Sequence, residues 1–287
     1  MRHDSRSKNF ILRALGRIGF YVLVIFIVCF CLAPFIWQVI TSLKPSEEVF
    51  AIPPRYLPSK LTISSYVKIF TARPFGRYIV NSILVASMTT LVCGAVGSLA
   101  AYALARFRMR AKGIIMGSVL GVALFPAIIF LVPLYEIVRS LGLTNNLITL
   151  VVPYVTLNLP FATWVMTSFF GQVPEDIEDA AKVDGMGSLG ILAKIVLPLA
   201  APAMATMSIL VFIFAWNEFL FALTFMTQDL SRTVPVGIAM LSGVTVYEVP
   251  WDQISAATVL TTLPLVAAVL IFQERIVQGL TAGALKG

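Results

Sequence analysis

Residues 78–105 read YIVNSILVASMTTLVCGAVGSLAAYALA, from Tyr78 to Ala105, with no charged side chain anywhere in the stretch. A hydrocarbon core about 30 Å thick asks for roughly 20 apolar residues of helix, and this run supplies them. In lipid only helices and closed barrels satisfy their own backbone groups, and a run without two-residue alternation is a helix. Five more such runs lie at residues 18–42, 113–138, 147–170, 199–225 and 254–272. The fold class that follows is all-α: a polytopic membrane protein with six transmembrane helices. The predicted organisation is a basic tail (1–17), one membrane domain (18–274) and a short tail (275–287).

Composition agrees. The chain of 287 residues is 59% hydrophobic and 12% charged, against about 25% charged in soluble domains. The basic start and first apolar run resemble a signal peptide, but the run is long, contains Pro34 and is followed by no small-residue cleavage site. It reads as a retained first span.

Lys and Arg set the orientation. Arg2, Arg6, Lys8, Arg13 and Arg17 precede the first span, and Arg106, Arg108, Arg110 and Lys112 link the second to the third. With six spans these groups share one side, which the positive-inside rule makes cytoplasmic. Both termini then lie in the cytoplasm. The bias is modest, because the first external loop is itself basic. The net charge of +7 is explained by topology and by the anionic headgroups of a lipid bilayer; no folded basic surface for nucleic acid is visible.

Catalytic and metal chemistry find no support. His3 is the lone histidine, and neither G-x-S-x-G nor G-x-x-x-x-G-K-[ST] occurs. Cys29, Cys31 and Cys93 fall inside predicted spans and read as small buried residues. No metal site, resident cofactor or enzyme activity is expected. Gly97, Ala101 and Ala105 on the second span, and Gly113, Gly117 and Gly121 on the third, are spaced for close helix packing inside the bundle. Prolines at 34, 126, 133, 153, 160, 202 and 264 are expected to kink the spans. Trp216, Asn217 and Glu218 fall near the outer end of the fifth span, as interface anchors or as lining of an outer cavity.

One polar segment interrupts the apolar pattern. Residues 174–185 read PEDIEDAAKVDG. Pro opens a short helix, acids load its first turns and Gly stops it. Such a helix is too short and polar to span a bilayer, and topology places it in the cytoplasm, where it suits a soluble partner.

Extended, the segment runs Asp179-Ala180-Ala181, three residues, Gly185, nine residues, Ile195-x-Leu197-Pro198. This resembles the EAA loop of binding-protein-dependent ABC importer permeases, with Asp179 standing where that family usually has Glu. Ser42-Leu43-Lys44-Pro45, residues 101–106 (AYALAR), Pro133-Leu134-Tyr135, Leu141-Gly142-Leu143, Trp216-Asn217-Glu218-Phe219 and the closing residues 279–287 (GLTAGALKG) are similar to its carbohydrate branch, the subfamily of the maltose permease's smaller subunit.

The resemblance implies that Glu178, Asp179, Ala180, Ala181, Asp184, Gly185, Ile195, Leu197 and Pro198 couple the chain to an ATPase, with Ser188 capping the next helix. It also implies an ATPase contact in the tail at Gly283 and Lys286. The implied partners are a second homologous permease subunit, two cytoplasmic ABC ATPase subunits that bind ATP–Mg, and an extracytoplasmic sugar-binding protein on loops 46–77 and 226–252. The implied function is a permease subunit importing a di- or oligosaccharide across a bacterial or archaeal cytoplasmic membrane. No sugar-contacting residue is identifiable from the sequence. The alternative reading is an ion-coupled secondary transporter or channel that works without an ATPase.

Overall fold

The computed structural model describes the backbone over residues 2–241 and 249–284, and side chains over 16–241 and 249–273. It is 78% helical, with no strand among the described residues. The basic side chains at 2, 6, 8, 13 and 275, and Lys286, lie outside the described residues. Of Gly283 only the helical backbone is described.

Helix α1 (Arg2–Ser42) is followed by the short α2 (Ser46–Val49) and α3 (Ser64–Ala72). Next come α4 (Phe75–Arg106), α5 (Lys112–Ala123), α6 (Ala127–Ser140) and α7 (Ile148–Phe170). The polar segment is α8 (Glu175–Val183). Helix α9 (Ser188–Ile191) runs through a π-turn (Leu192–Val196) into α10 (Leu197–Leu199). The chain continues with α11 (Ala201–Asn217), α12 (Leu220–Phe225), α13 (Val234–Ala239) and α14 (Trp251–Ala284).

Four helices are long and apolar enough to cross a membrane: Gly16–Ser42, Phe75–Arg106, Ile148–Phe170 and Trp251–Gln273. The predicted third span is instead bent, and a second bend lies at the start of the predicted fifth, where Ala200 parts the preceding helix from α11. Lys112–Ala123 meets Ala127–Ser140 at 82°, and Ser188–Leu199 meets Ala201–Asn217 at 83°. Both breaks have a proline at the start of the following helix: Pro126 is the N-cap of α6 and Pro202 lies in the first turn of α11. There its missing N–H deprives the new helix of nothing, while the preceding helix cannot continue through it. Pro34, Pro133, Pro153, Pro160 and Pro264 sit inside unbroken helices.

The described residues form two compact units. The first comprises Met1–Thr71 and Ser242–Leu260. In it, Asp252 is buried and accepts hydrogen bonds from Ser46 Oγ (2.9 Å) and Ser65 Oγ (2.8 Å), which ties α2 and α3 to the start of α14. Lys44 is buried as well; its Nζ donates to the Arg55 carbonyl at 2.7 Å and lies 4.7 Å from the Trp37 ring centre, a cation–π contact. Cys29 and Cys31 are exposed on α1, contrary to the expectation of buried thiols.

The second unit comprises Ala72–Leu241 and Thr261–Gly287. Here α4 lies along α7, and α11 packs on both. Cys93, Ala101, Ala162, Met166, Phe170 and Met207 are at the centre of its core. Gly97 allows the close approach: a Cβ there would come within 3.3 Å of the Ala162 Cβ. The other small-residue stripe behaves differently. A Cβ at Gly113, Gly117 or Gly121 would meet nothing within 4 Å, so internal packing does not account for that stripe. At its N-terminal end α4 holds the loop that follows α12. Tyr78 Oη donates to Asp229 (2.7 Å), Asn81 Nδ2 donates to the Leu230 and Arg232 carbonyls (2.9 Å each), and Val234 N donates to Ser82 Oγ (2.9 Å).

Candidate functional site

Helix α8 follows directly from its residues. Pro174 is its N-cap, one position earlier than a first-turn proline, and Glu175, Asp176 and Glu178 complement the positive helix end. Gly185 adopts φ +83°, a value at which an L side chain is strained. Around it the N–H of Met186 bonds to Ala181 O (2.9 Å) and that of Gly185 to Lys182 O (3.0 Å). These two bonds make a Schellman motif, and Met186 packs against the core cluster to which Ala181 belongs. Ser188 is not a cap: it is the first residue of α9, and Gly187 holds the cap position without a side-chain bond.

The helix has two faces of different character. Asp179, Ala180, Lys182 and Val183 point outward, with Val183 87% exposed. Asp179 bonds Lys182 Nζ at 2.8 Å and holds that amine above the ordinary lysine range. The inward face carries Glu178 and Ala181. Glu178 is 1% exposed. Its carboxylate accepts from Arg106 Nε at 2.6 Å and from Tyr102 Oη at 3.0 Å. Arg106 Nη2 also donates to the Val173 carbonyl at 2.9 Å, so one guanidinium holds both α8 and the elbow that precedes it. Tyr102 packs edge-on against Phe170. Glu178 therefore faces the chain's own spans, while Asp179, beside it, faces out. Ile195 and Leu197 are partly buried against the core; Asp184, Gly185 and Pro198 are exposed.

A second site forms where α7 meets the end of α11. A cavity of about 340 Å³ is lined by Tyr154, Asn158 and Phe161 on one side and by Phe214, Ala215 and Glu218 on the other. The two phenyl rings meet edge to face, 6.4 Å apart. Glu218 ends α11 and caps α12, accepting from Phe221 N (2.9 Å) and Ala222 N (3.2 Å). Asn158 Nδ2 donates to Tyr154 O at 2.7 Å. The Tyr154 hydroxyl is buried beside Glu218 without a hydrogen bond of ordinary geometry. Of the three residues expected around an outer cavity, Glu218 lines this one. Trp216 is packed inside the bundle on Phe212, and Asn217 is exposed and bonds back to Ile213 O. A larger cavity of about 560 Å³ between Leu197, Met204, Phe212 and Phe272 is almost wholly apolar and offers little to a polar solute. Among the described residues no group of three His, Cys, Asp or Glu side chains is placed to hold a metal.

Sequence reasoning passed over Tyr102, Arg106, Tyr154 and Asn158 as site residues. The available signal was spacing: each pair is four apart and so shares one helix face.

A family model described as the binding-protein-dependent transport system inner membrane component matches residues 94–282. The chain belongs to that family. Among similar members is the sulfoquinovosyl glycerol transport system permease of Agrobacterium fabrum, 42% identical over 256 residues, which is 89% of each chain. The trehalose/maltose transport system permease of Thermococcus litoralis is 42% identical over 280 residues, 95% of this chain and 98% of that one. Among solved structures, a bacterial ABC transporter importing the acidic polysaccharide alginate aligns with TM-score 0.73 at 24% identity, covering 91% of this chain and 96% of that one. This permease family accounts for the several apolar helices and for a chain that crosses the membrane more than once.

Proposed function

We propose that this chain is a transmembrane permease subunit of an ATP-driven, binding-protein-dependent sugar importer. The observation that carries the reading is α8: a short helix closed by a Schellman motif, whose outward face makes no ion pair among the described residues apart from the Asp179–Lys182 bridge. That face docks on a cytoplasmic ATPase. A second homologous permease completes the pathway, two ATPase subunits bind and hydrolyse ATP–Mg, and this chain itself is not an enzyme. Both termini are cytoplasmic, and loops 46–77 and 226–252 receive the extracytoplasmic binding protein. The relatives named for sugars and sugar glycosides support a di- or oligosaccharide as cargo. The cavity at Glu218 suits passing sugar hydroxyls: its wall carries a carboxylate and an amide beside two aromatic rings, with the buried Tyr154 phenol behind the carboxylate.

The test is reconstitution. Co-expressed with its neighbouring permease and ATPase genes, the chain is expected to purify as one complex. In proteoliposomes that complex takes up sugar only with ATP inside and the binding protein outside. A chain that captures no ATPase, yet takes up solute on an ion gradient alone, overturns this reading in favour of a secondary transporter.

A further inference from the structure

Helix α4 contains 32 residues, about 48 Å at the rise of an α-helix. Both of its ends are fastened by buried polar side chains, and the fastenings differ from the apolar packing along its middle. At one end Tyr102 and Arg106 grip Glu178 of α8. At the other Tyr78, Asn81 and Ser82 grip residues 229–234, and all three side chains are at least 97% buried. A buried ion pair is weak evidence of stability but good evidence of fixed register between two elements.

We infer that α4 is a transmission rod, with Glu178 as the joint that makes α8 move with it. The inference rests on the function proposed above. The covalent route from α8 into the bundle runs through Gly171–Pro174 into α7, and a short elbow of this kind yields under load. Arg106 removes that freedom, because it bonds the Val173 carbonyl on the elbow and the Glu178 carboxylate on α8 together. A displacement of α8 by an ATPase is therefore passed to α4, and along α4 to loop 229–234. Glu178, Arg106 and Tyr102 are positioning residues: they touch neither sugar nor nucleotide.

The experiment uses the complete reconstituted transporter, with Cys29, Cys31 and Cys93 replaced and nitroxide labels introduced by Asp176→Cys and Leu230→Cys, both exposed positions. Pulsed electron resonance measures the separation of the labels without nucleotide and with trapped ATP. With the joint intact the separation is expected to stay the same in both states. With Glu178→Gln it shifts or broadens on ATP, and sugar taken up per ATP hydrolysed falls about ten-fold. Tyr102→Phe, which loses one hydrogen bond, shows the same changes to a smaller degree and serves if Glu178→Gln does not assemble. An intact joint whose labels separate on ATP as widely as in the variants overturns the inference. So does an unchanged uptake-to-hydrolysis ratio in both variants. A parent chain that captures no ATPase overturns the proposed function instead, a result visible before any label is read.

Discussion

Glu178 and Glu218 are both carboxylates of the second unit, and their partners differ. Glu178 is enclosed and meets a guanidinium and a phenol, so its charge is neutralised and its oxygens are occupied. Glu218 is partly buried, meets two backbone N–H groups and stands beside a phenol to which it makes no hydrogen bond of ordinary geometry. A carboxylate with its needs met inside the protein fixes one element against another. A carboxylate with capacity left over, at the wall of a cavity, is available to something that passes. The same side chain thus has the setting of a joint in one place and, under the proposed function, of a contact surface in the other.

Removing the partner of the enclosed carboxylate breaks this comparison most strongly. Arg106→Ala leaves Glu178 buried and unpaired and is expected to cost about 3–5 kcal/mol. Denaturant unfolding of the purified complex measures this. Pairing it with Glu178→Leu should return most of the loss, since apolar replacement of a whole buried ion pair is often neutral. Gly185→Ala comes next, at about 1–2 kcal/mol, because the strain lies in the positive φ and not in space. Glu218→Ala removes a helix cap and should cost about 1 kcal/mol. Its larger effect is expected on transport, as a raised half-saturating sugar concentration in uptake assays. Tyr154→Phe should change stability by no more than about 1 kcal/mol, because the hydroxyl it deletes lies beside Glu218 without a hydrogen bond of ordinary geometry. Sugar uptake by Tyr154→Phe at parental levels would remove that phenol from the list of contacts. The smallest stability change belongs to Asp179→Lys, within about 0.5 kcal/mol for an exposed position. Yet ATPase co-purification should drop in this variant, which separates the outward face of α8 from the inward one.

The sequence announced the spans plainly, because twenty apolar residues without charge have few alternatives. Gly185 was equally legible, since a helix that stops at glycine commonly stops through a positive φ. The bends were harder. Seven prolines looked alike, and only those that open a new helix coincide with a break. The orientation of α8 was hidden for another reason. Apolar patterning points Ile177 and Ala181 inward together, whereas Ile177 is 42% exposed and Glu178 takes the buried place. The deciding partner, Arg106, lies 72 residues away in sequence, beyond the reach of any local pattern. The cavity at Glu218 assembles from two helices; the α11 stretch marked Glu218, but nothing local pointed to Tyr154 and Asn158 on α7 as its other wall.

The grip of Arg106 on both Val173 and Glu178 bears on how such proteins can be recombined. Residues 174–198 look like a portable cassette, an ATPase adaptor that could be exchanged between related transporters. A graft confined to those residues would leave the recipient's own helix end beneath a foreign carboxylate. Modularity here has a boundary that sequence position does not show: the adaptor and the end of α4 at Tyr102 and Arg106 form one inheritable unit. Chimeras that carry both pieces should function where single-segment grafts fail.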